Sequence, residues 1–373
     1  MRVLVMKFRH IGDVILITPL LRNLKLLHPD WEIDVAVNRG TEELLQLNPD
    51  ISRLFCYDRR RIKKLPFPKR LLEEGRFFLE LSKGGYDIVI NLTEGDRGAL
   101  IATLSKAPIK IGYPPKKGIL KGVYTHPLPP QQKRHTLEAN LDPLRVLGEE
   151  IREKQVYIYW EEEAEEQVEQ LGLPSQFIHL HLVSRWMFKT LPLKVAQAVI
   201  EEIWDRLRIP FVATGAPVKG EMEYLKELER LLPTQLDFLN LAGELTLQEV
   251  AALNKRAHLF LGVDTAVMHI SAANDTPTFA FFGPSGAFHW GPWANREMES
   301  GYRAQNGIQR MGPHLVYQLD WECIPCGKDG CHGSKRSECL EFLSPSRVVE
   351  EFLEWRKGWL QKRGEEGIDK GGS

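Results

Sequence analysis

The side chains with the most chemistry to offer stand where apolar runs give way to helical patterns. In LGVDTAVMHISAANDTPTFAFFG (261–283), an apolar run ends on Asp264-Thr265, a helical pattern starts at once, and His269 falls one turn in on the face of Thr265. A helix N-terminus offers unpaired N–H groups and roughly half a positive charge, which suits a phosphate. Thr265 adds a hydroxyl donor, and Asp264, which would repel phosphate directly, fits better as an orienting group for loop N–H donors. The plainer reading makes Asp264 or Thr265 an N-cap and His269 a core residue. FRHIGDV (8–14) forms a second corner, where Gly12 permits a tight turn and Asp13 opens a long helical pattern. Asp13 is either a cap or a general base, the latter if the hydroxyl it serves becomes acidic as a new bond forms. In SRWMFKTLP (184–192), Arg185 and Lys189 are within loop reach of phosphate oxygens, or are simply solvated.

The elements that must hold these corners alternate. In the first half, 3–8, 31–38, 86–92 and 109–113 read as strands, and 14–27, a short stretch near 41–47 and FFLELSKG read as helices. The second half repeats the grammar, with strands at 177–183, 209–214, 259–264 and 277–283. Helices are expected from Pro192 to about Arg206, over GEMEYLKELERLL, and over 247–257 and 265–274. This βαβα order implies an α/β protein of two doubly wound, Rossmann-like parallel sheets. The expected domains are 1–160 and 161–345, followed by an amphipathic helix at 346–362 and a disordered tail at 363–373. The three corners lie at strand C-terminal ends, where doubly wound sheets bind ligands. No GxGxxG follows the first strand, which disfavours a dinucleotide cofactor there.

Composition narrows the class. A net charge of −1 is unlike the broadly basic footprint of a general nucleic-acid binder. No apolar run approaches the roughly 18 residues of a membrane span, and no signal peptide is evident, so a cytoplasmic protein with at most peripheral membrane contact is expected. Charge is nonetheless uneven: RRRIKKLPFPKR (59–70) is basic without an acid, whereas EEEAEEQVEQ (161–170) is acidic. The basic run reads as a solvated loop, or as a surface for anionic groups.

FRHIGDVILITPLLRNLKLLHPDWEIDV, RHTLEANLDPLRVLG and LGVDTAVMHISAANDTPTFAFFGPSG together resemble glycosyltransferase family 9, the bacterial lipopolysaccharide heptosyltransferases, and look most like its type III members. The resemblance spans roughly residues 1–350. It implies a GT-B fold, two Rossmann-like domains facing across a cleft, with inverting, metal-independent transfer of heptose from ADP-heptose to an inner-core sugar hydroxyl. By motif, Asp13 matches the catalytic base and Lys189 the lysine that stabilises the departing diphosphate. Ser184 lies in the same phosphate loop, and Asp264, Thr265, Ala266 and His269 match the diphosphate-holding segment. Glu221 would bond the adenosine ribose and Leu245 would contact adenine. Two departures stand out: Ala266 replaces a glycine of first-heptose enzymes, as in type III members, and Ser184 replaces a common threonine. Neither removes a charge.

The resemblance also gives the basic run a partner. Arg59, Arg60, Arg61, Lys63 and Lys64 would hold the phosphates and carboxylates of a lipid A–Kdo–heptose acceptor, or anionic headgroups of the inner membrane's cytoplasmic face. No nucleic-acid partner and a monomeric enzyme are expected. Cys323, Cys326, Cys331 and Cys339, with His332 beside the third, have the spacing of a structural metal or iron–sulfur site. Reduced thiols and disulfides compete with that reading, and catalysis itself requires no cofactor. Rival functions are transfer from another nucleotide sugar, an epimerase on the same fold, and a non-catalytic module with a cysteine-ligated metal.

Overall fold

A computed structural model describes residues 1–130 and 133–369, with the side chains of those up to 361. The chain divides into two compact units, Met1–Glu161 and Glu162–Ser373.

The first unit carries β1 (Arg2–Lys7), β2 (Glu32–Asn38), β3 (Arg53–Tyr57), β4 (Ile88–Asn91), β5 (Ile109–Gly112) and β6 (His126–Pro127). They lie in the order β3-β2-β1-β4-β5-β6, every neighbouring pair parallel. Strands buried on both faces need continuous apolar runs rather than alternation. Accordingly Val3, Leu4, Val5 and Met6 are all fully buried. The order reverses between β1 and β4, so the loops after Lys7 and Asn91 open the crevice where such sheets take ligands.

The second unit carries β7 (Ile178–His181), β8 (Phe211–Ala213), β9 (Phe238–Asn240), β10 (Leu259–Val263), β11 (Thr278–Phe281), β12 (Gln309–Met311) and β13 (His314–Tyr317). Its order is β12-β13-β11-β10-β7-β8-β9. Among the described residues only the edge hairpin β12–β13 is antiparallel. The reversal falls between β7 and β10, which pair through Gly262 and His181. A Cβ on Gly262 would come within 2.8 Å of the His181 carbonyl oxygen, so the close strand approach at this switch point requires glycine. The C-terminal helix Pro345–Asp369 buries Val348, Val349, Phe352 and Trp355 in this unit's core, together with Val199 and Ile203 of the helix Leu193–Leu207. It therefore runs on into the segment expected to be a tail, of which residues 370–373 lie outside the described residues.

Some local expectations change. The helix expected over 14–27 is two, Ile11–Ile15 and Thr18–Leu27, with Pro19 in the first turn of the second. Residues 41–47 form turns, not a helix. The basic run is helical, over Arg59–Lys64 and at the start of Phe67–Ser82, rather than a loop.

Candidate functional site

In the second unit, the loops after β7 and β10 bring together side chains far apart in sequence. Ser184 and Thr190 staple the first loop: the Ser184 N–H donates to Thr190 Oγ1 at 3.1 Å, and the Trp186 N–H to Ser184 Oγ at 3.2 Å. Between them Met187–Lys189 makes a 3-10 turn that points Lys189 at the second loop. Lys189 Nζ donates to Asp264 Oδ2 at 2.6 Å, and Ser285 Oγ donates to the same oxygen at 2.5 Å. Burial works against the Asp264 charge, but Lys189, Ser285 and nearby His269 outweigh it and hold its carboxyl below the ordinary aspartate value. The carboxylate's hydrogen-bond partners are thus an ammonium and a hydroxyl, where the sequence pattern suggested backbone N–H groups.

Beside this cluster begins the helix Ala266–Ala273, with Thr265 in the N-cap position. Thr265 makes no side-chain cap bond there, and its buried Oγ1 has no hydrogen-bond partner. The cap reading of this corner therefore does not hold, and the helix end keeps donors for a ligand. His269 is 4% exposed, within electrostatic range of Asp264. Arg185 is exposed, its guanidinium 5.7 Å from the Trp186 ring centroid.

Glu221 and Leu245 belong to other segments of the second unit. Glu221 is buried near the start of the helix Lys219–Leu231, and its Oε2 accepts from the Ala216 N–H at 2.8 Å. Burial raises its pKa and the amide bond lowers it, with burial the larger. Half-buried Leu245 precedes Thr246, whose side chain caps the helix Leu247–Arg256 in a reciprocal box with Glu249.

In the first unit, Asp13 lies in the short helix after β1 and does not cap it; His10 holds the N-cap position. A partner absent from the sequence reading is Lys7, at the end of β1 and 2% exposed. Its Nζ lies 3.8 Å from Asp13 Oδ1 and donates to Asn140 Oδ1 at 3.0 Å and to the Leu92 carbonyl at 3.3 Å. Asn140 in turn donates to the Leu16 carbonyl, so the lysine is fixed from both sides. Burial is the main influence on Lys7, Asp13 opposes it and Arg9 adds to it, and its pKa falls to about 8. Ser285 was missed as well. Both residues lie in runs whose local pattern says only strand or turn.

Of the basic run, Arg61 is already engaged: it reaches Glu73 at 2.6 Å. Arg59, Arg60, Lys63 and Lys64 are exposed. The four clustered cysteines are free thiols, Cys323 and Cys326 exposed and Cys339 buried. Among the described residues no three His, Cys, Asp or Glu side chains are gathered to hold a metal ion.

Residues 75–313 match glycosyltransferase family 9 (heptosyltransferase). A lipopolysaccharide heptosyltransferase 3 of Escherichia coli K12 is 30% identical over 292 residues, 76% of this chain and 83% of that protein. A glycosyl transferase family 9 structure from Veillonella parvula, 23% identical, has a TM-score of 0.76 over 95% of this chain and 96% of its own. The E. coli heptosyltransferase WaaC with ADP, 19% identical, has a TM-score of 0.70 over 95% of this chain and all of that one. The two Rossmann-like units have the GT-B fold of these structures.

Proposed function

We propose, from the premise that this chain belongs to glycosyltransferase family 9, that it transfers heptose from ADP-heptose to a sugar hydroxyl of the lipopolysaccharide inner core. The observation that carries the reading is the Lys189–Asp264–Ser285 cluster beside an uncapped helix end at the second unit's switch point. A nucleotide diphosphate leaves with growing negative charge, and fixed donors aimed at that charge lower the barrier. Asp264 positions the Lys189 ammonium, while Thr265, Ala266 and the first amides of the helix supply hydrogen bonds. In this reading these groups carry the leaving charge, and no metal ion is required for catalysis. Ser184 and Arg185 complete the diphosphate loop, His269 supports Asp264, and Glu221 and Leu245 serve the adenosine end.

On the acceptor side, Asp13 takes the proton of the attacking hydroxyl. The new O–C1 bond forms as the C1–O bond to ADP breaks on the opposite face, which inverts the anomeric centre. Lys7 holds Asp13 in place. The basic helix Arg59–Lys64 faces anionic parts of the acceptor or of the lipid surface around it. Phe67, Leu71 and Leu72 are 77%, 62% and 55% exposed on the helix that follows, which suits a peripheral stance on a membrane. Among the described residues no helix is long and apolar enough to cross one.

The test is Asp13→Asn. Loss of a general base lowers kcat by about 10²–10⁴-fold, with ADP affinity unchanged. Full transfer by this variant would remove Asp13 from the role and turn attention to His10.

A further inference from the structure

We propose that Gln318 is a positioning residue of the donor site: it fixes Ser285 against Asp264, as the first of two anchors by which the cysteine-rich segment 319–336 straps that site's loops together. The inference rests on the transferase reading for what the site does, but the strap is observed independently of it.

Gln318 directly follows β13 and is 2% exposed. Its amide nitrogen donates to the Gly283 carbonyl at 2.8 Å and to the Ser285 carbonyl at 2.7 Å. Two carbonyls two residues apart are thereby drawn to one nitrogen. That fixes the bend from which Ser285 Oγ reaches Asp264 Oδ2 at 2.5 Å. Among the described residues the Oε1 atom of Gln318 is buried and has no hydrogen-bond partner. Native side chains mostly avoid an unpaired buried oxygen, so keeping one calls for a compensating role. A glutamate here would turn both donors into lone pairs facing carbonyl oxygens, and the place therefore suits an amide.

The second anchor is Ser337, 5% exposed, whose Oγ donates at 2.6 Å to the carbonyl of Phe188, the residue before Lys189. Between the anchors, the Gly327 N–H donates to the Pro284 carbonyl at 2.9 Å. Strap and loop touch closely: a Cβ on Gly286 would come within 3.2 Å of Pro325 Cγ, and one on Gly283 within 3.0 Å of the Leu340 side chain. Gln305 and Asn306 pin the strap itself, donating to the Ile324 carbonyl at 3.0 and 3.1 Å. The strap thus holds the Lys189–Asp264–Ser285 cluster from two sides, through the Ser285 loop and through the turn that carries Lys189. Cys323, Cys326 and Cys331 lie within it and Cys339 follows it. A hydroxyl and an ammonium that share one carboxylate oxygen keep their geometry only if supporting groups hold them to within about 0.5 Å.

The experiment is a pair of double-variant cycles on the full chain. Each is read by kcat for heptosyl transfer and by calorimetric ADP affinity, with melting temperature as the check on folding. Gln318→Met keeps the side chain's length and removes both donors. It is expected to lower kcat about tenfold, less than the roughly 10²-fold of a 1 Å misplacement, with acceptor KM unchanged. It is expected to weaken ADP binding about threefold, within the usual range for residues coupled through one network. In a Ser285→Ala background the same change is expected to have no further effect on either quantity. Ser337→Ala is expected to lower kcat and to be silent in a Lys189→Ala background. A merely structural role gives the same fold-loss in both backgrounds, and that result overturns the proposal. If Gln318→Met does not fold, Gln318→Asn, with its amide one methylene short, replaces it and is judged by the same cycle. Coupling in ADP affinity without any heptosyl transfer by the wild type would retain the strap and reject the transferase reading instead.

Discussion

Lys189 and Asp264, 75 residues apart in sequence, meet in a 2.6 Å charge-assisted hydrogen bond, with Asp264 buried and the Lys189 side chain 22% exposed. Under the proposed function, an ion pair placed at a switch point beside an open helix end prepares a site for a larger anion. Lys189→Ala should therefore lower kcat by about 10²–10³-fold, the usual cost of removing a donor from a developing anion. Its effect on acceptor KM should be small. A loss confined to acceptor KM would place Lys189 on the other substrate.

Removing the other partner should act differently. Asp264→Ala leaves the ammonium without its carboxylate; it should cost about 2 kcal/mol of stability, below the ~3–5 for fully buried pairs because Lys189 retains contact with water. Chemical denaturation of this variant, of Lys189→Ala and of the double variant gives the coupling between them. Additive effects would contradict a functional pair.

Under the proposed mechanism Lys7 should give the reaction a pH signature. Its ammonium supports the Asp13 carboxylate only while protonated, and burial lowers its pKa to about 8. Transfer should decline as pH rises through about 8, because the cation beside the base is lost. Lys7→Met should be slower at neutral pH and should lack that alkaline limb. A wild-type profile flat from pH 7 to 9.5 would exclude this role.

Three of the buried histidines should make the fold sensitive to acid. His179 and His181 share Thr214 Oγ1 at 2.8 and 3.0 Å, and His179 also meets Asn254 at 2.9 Å. Burial lowers all three, His179 well below its ordinary value, His181 to about 4 and His314 to about 3. Each is neutral when folded but takes up a proton near pH 6.5 when unfolded. Their contribution is complete above that pH and is lost as pH falls from 6.5 towards about 4. Melting temperature should drop steadily over that window, and His314→Leu should flatten the slope. An unchanged slope would remove His314 from the linkage.

The fold was legible where burial leaves a strong pattern. Apolar runs such as those of β1, β10 and β11 are buried on both faces, and Pro192 marks the start of the helix Leu193–Leu207. The three-residue strands β9 and β12 were not, because so short a run carries no periodicity and gains its identity only by pairing with a neighbour. Within the candidate site, Asp13, Lys189 and Asp264 were legible as candidates because each follows a readable strand, and Ser184 entered through the resemblance of its loop. Lys7 was hidden: inside VLVMKF it reads as an ordinary strand residue, and its partner Asn140 lies 133 residues away.

The central claim is met most directly by weighing products. The full chain is incubated with ADP-heptose and with defined inner cores bearing none, one or two heptoses. The account predicts ADP release and the gain of one heptose on the core that already bears two. Consumption of a different nucleotide sugar, with ADP-heptose left intact on every core, would contradict it.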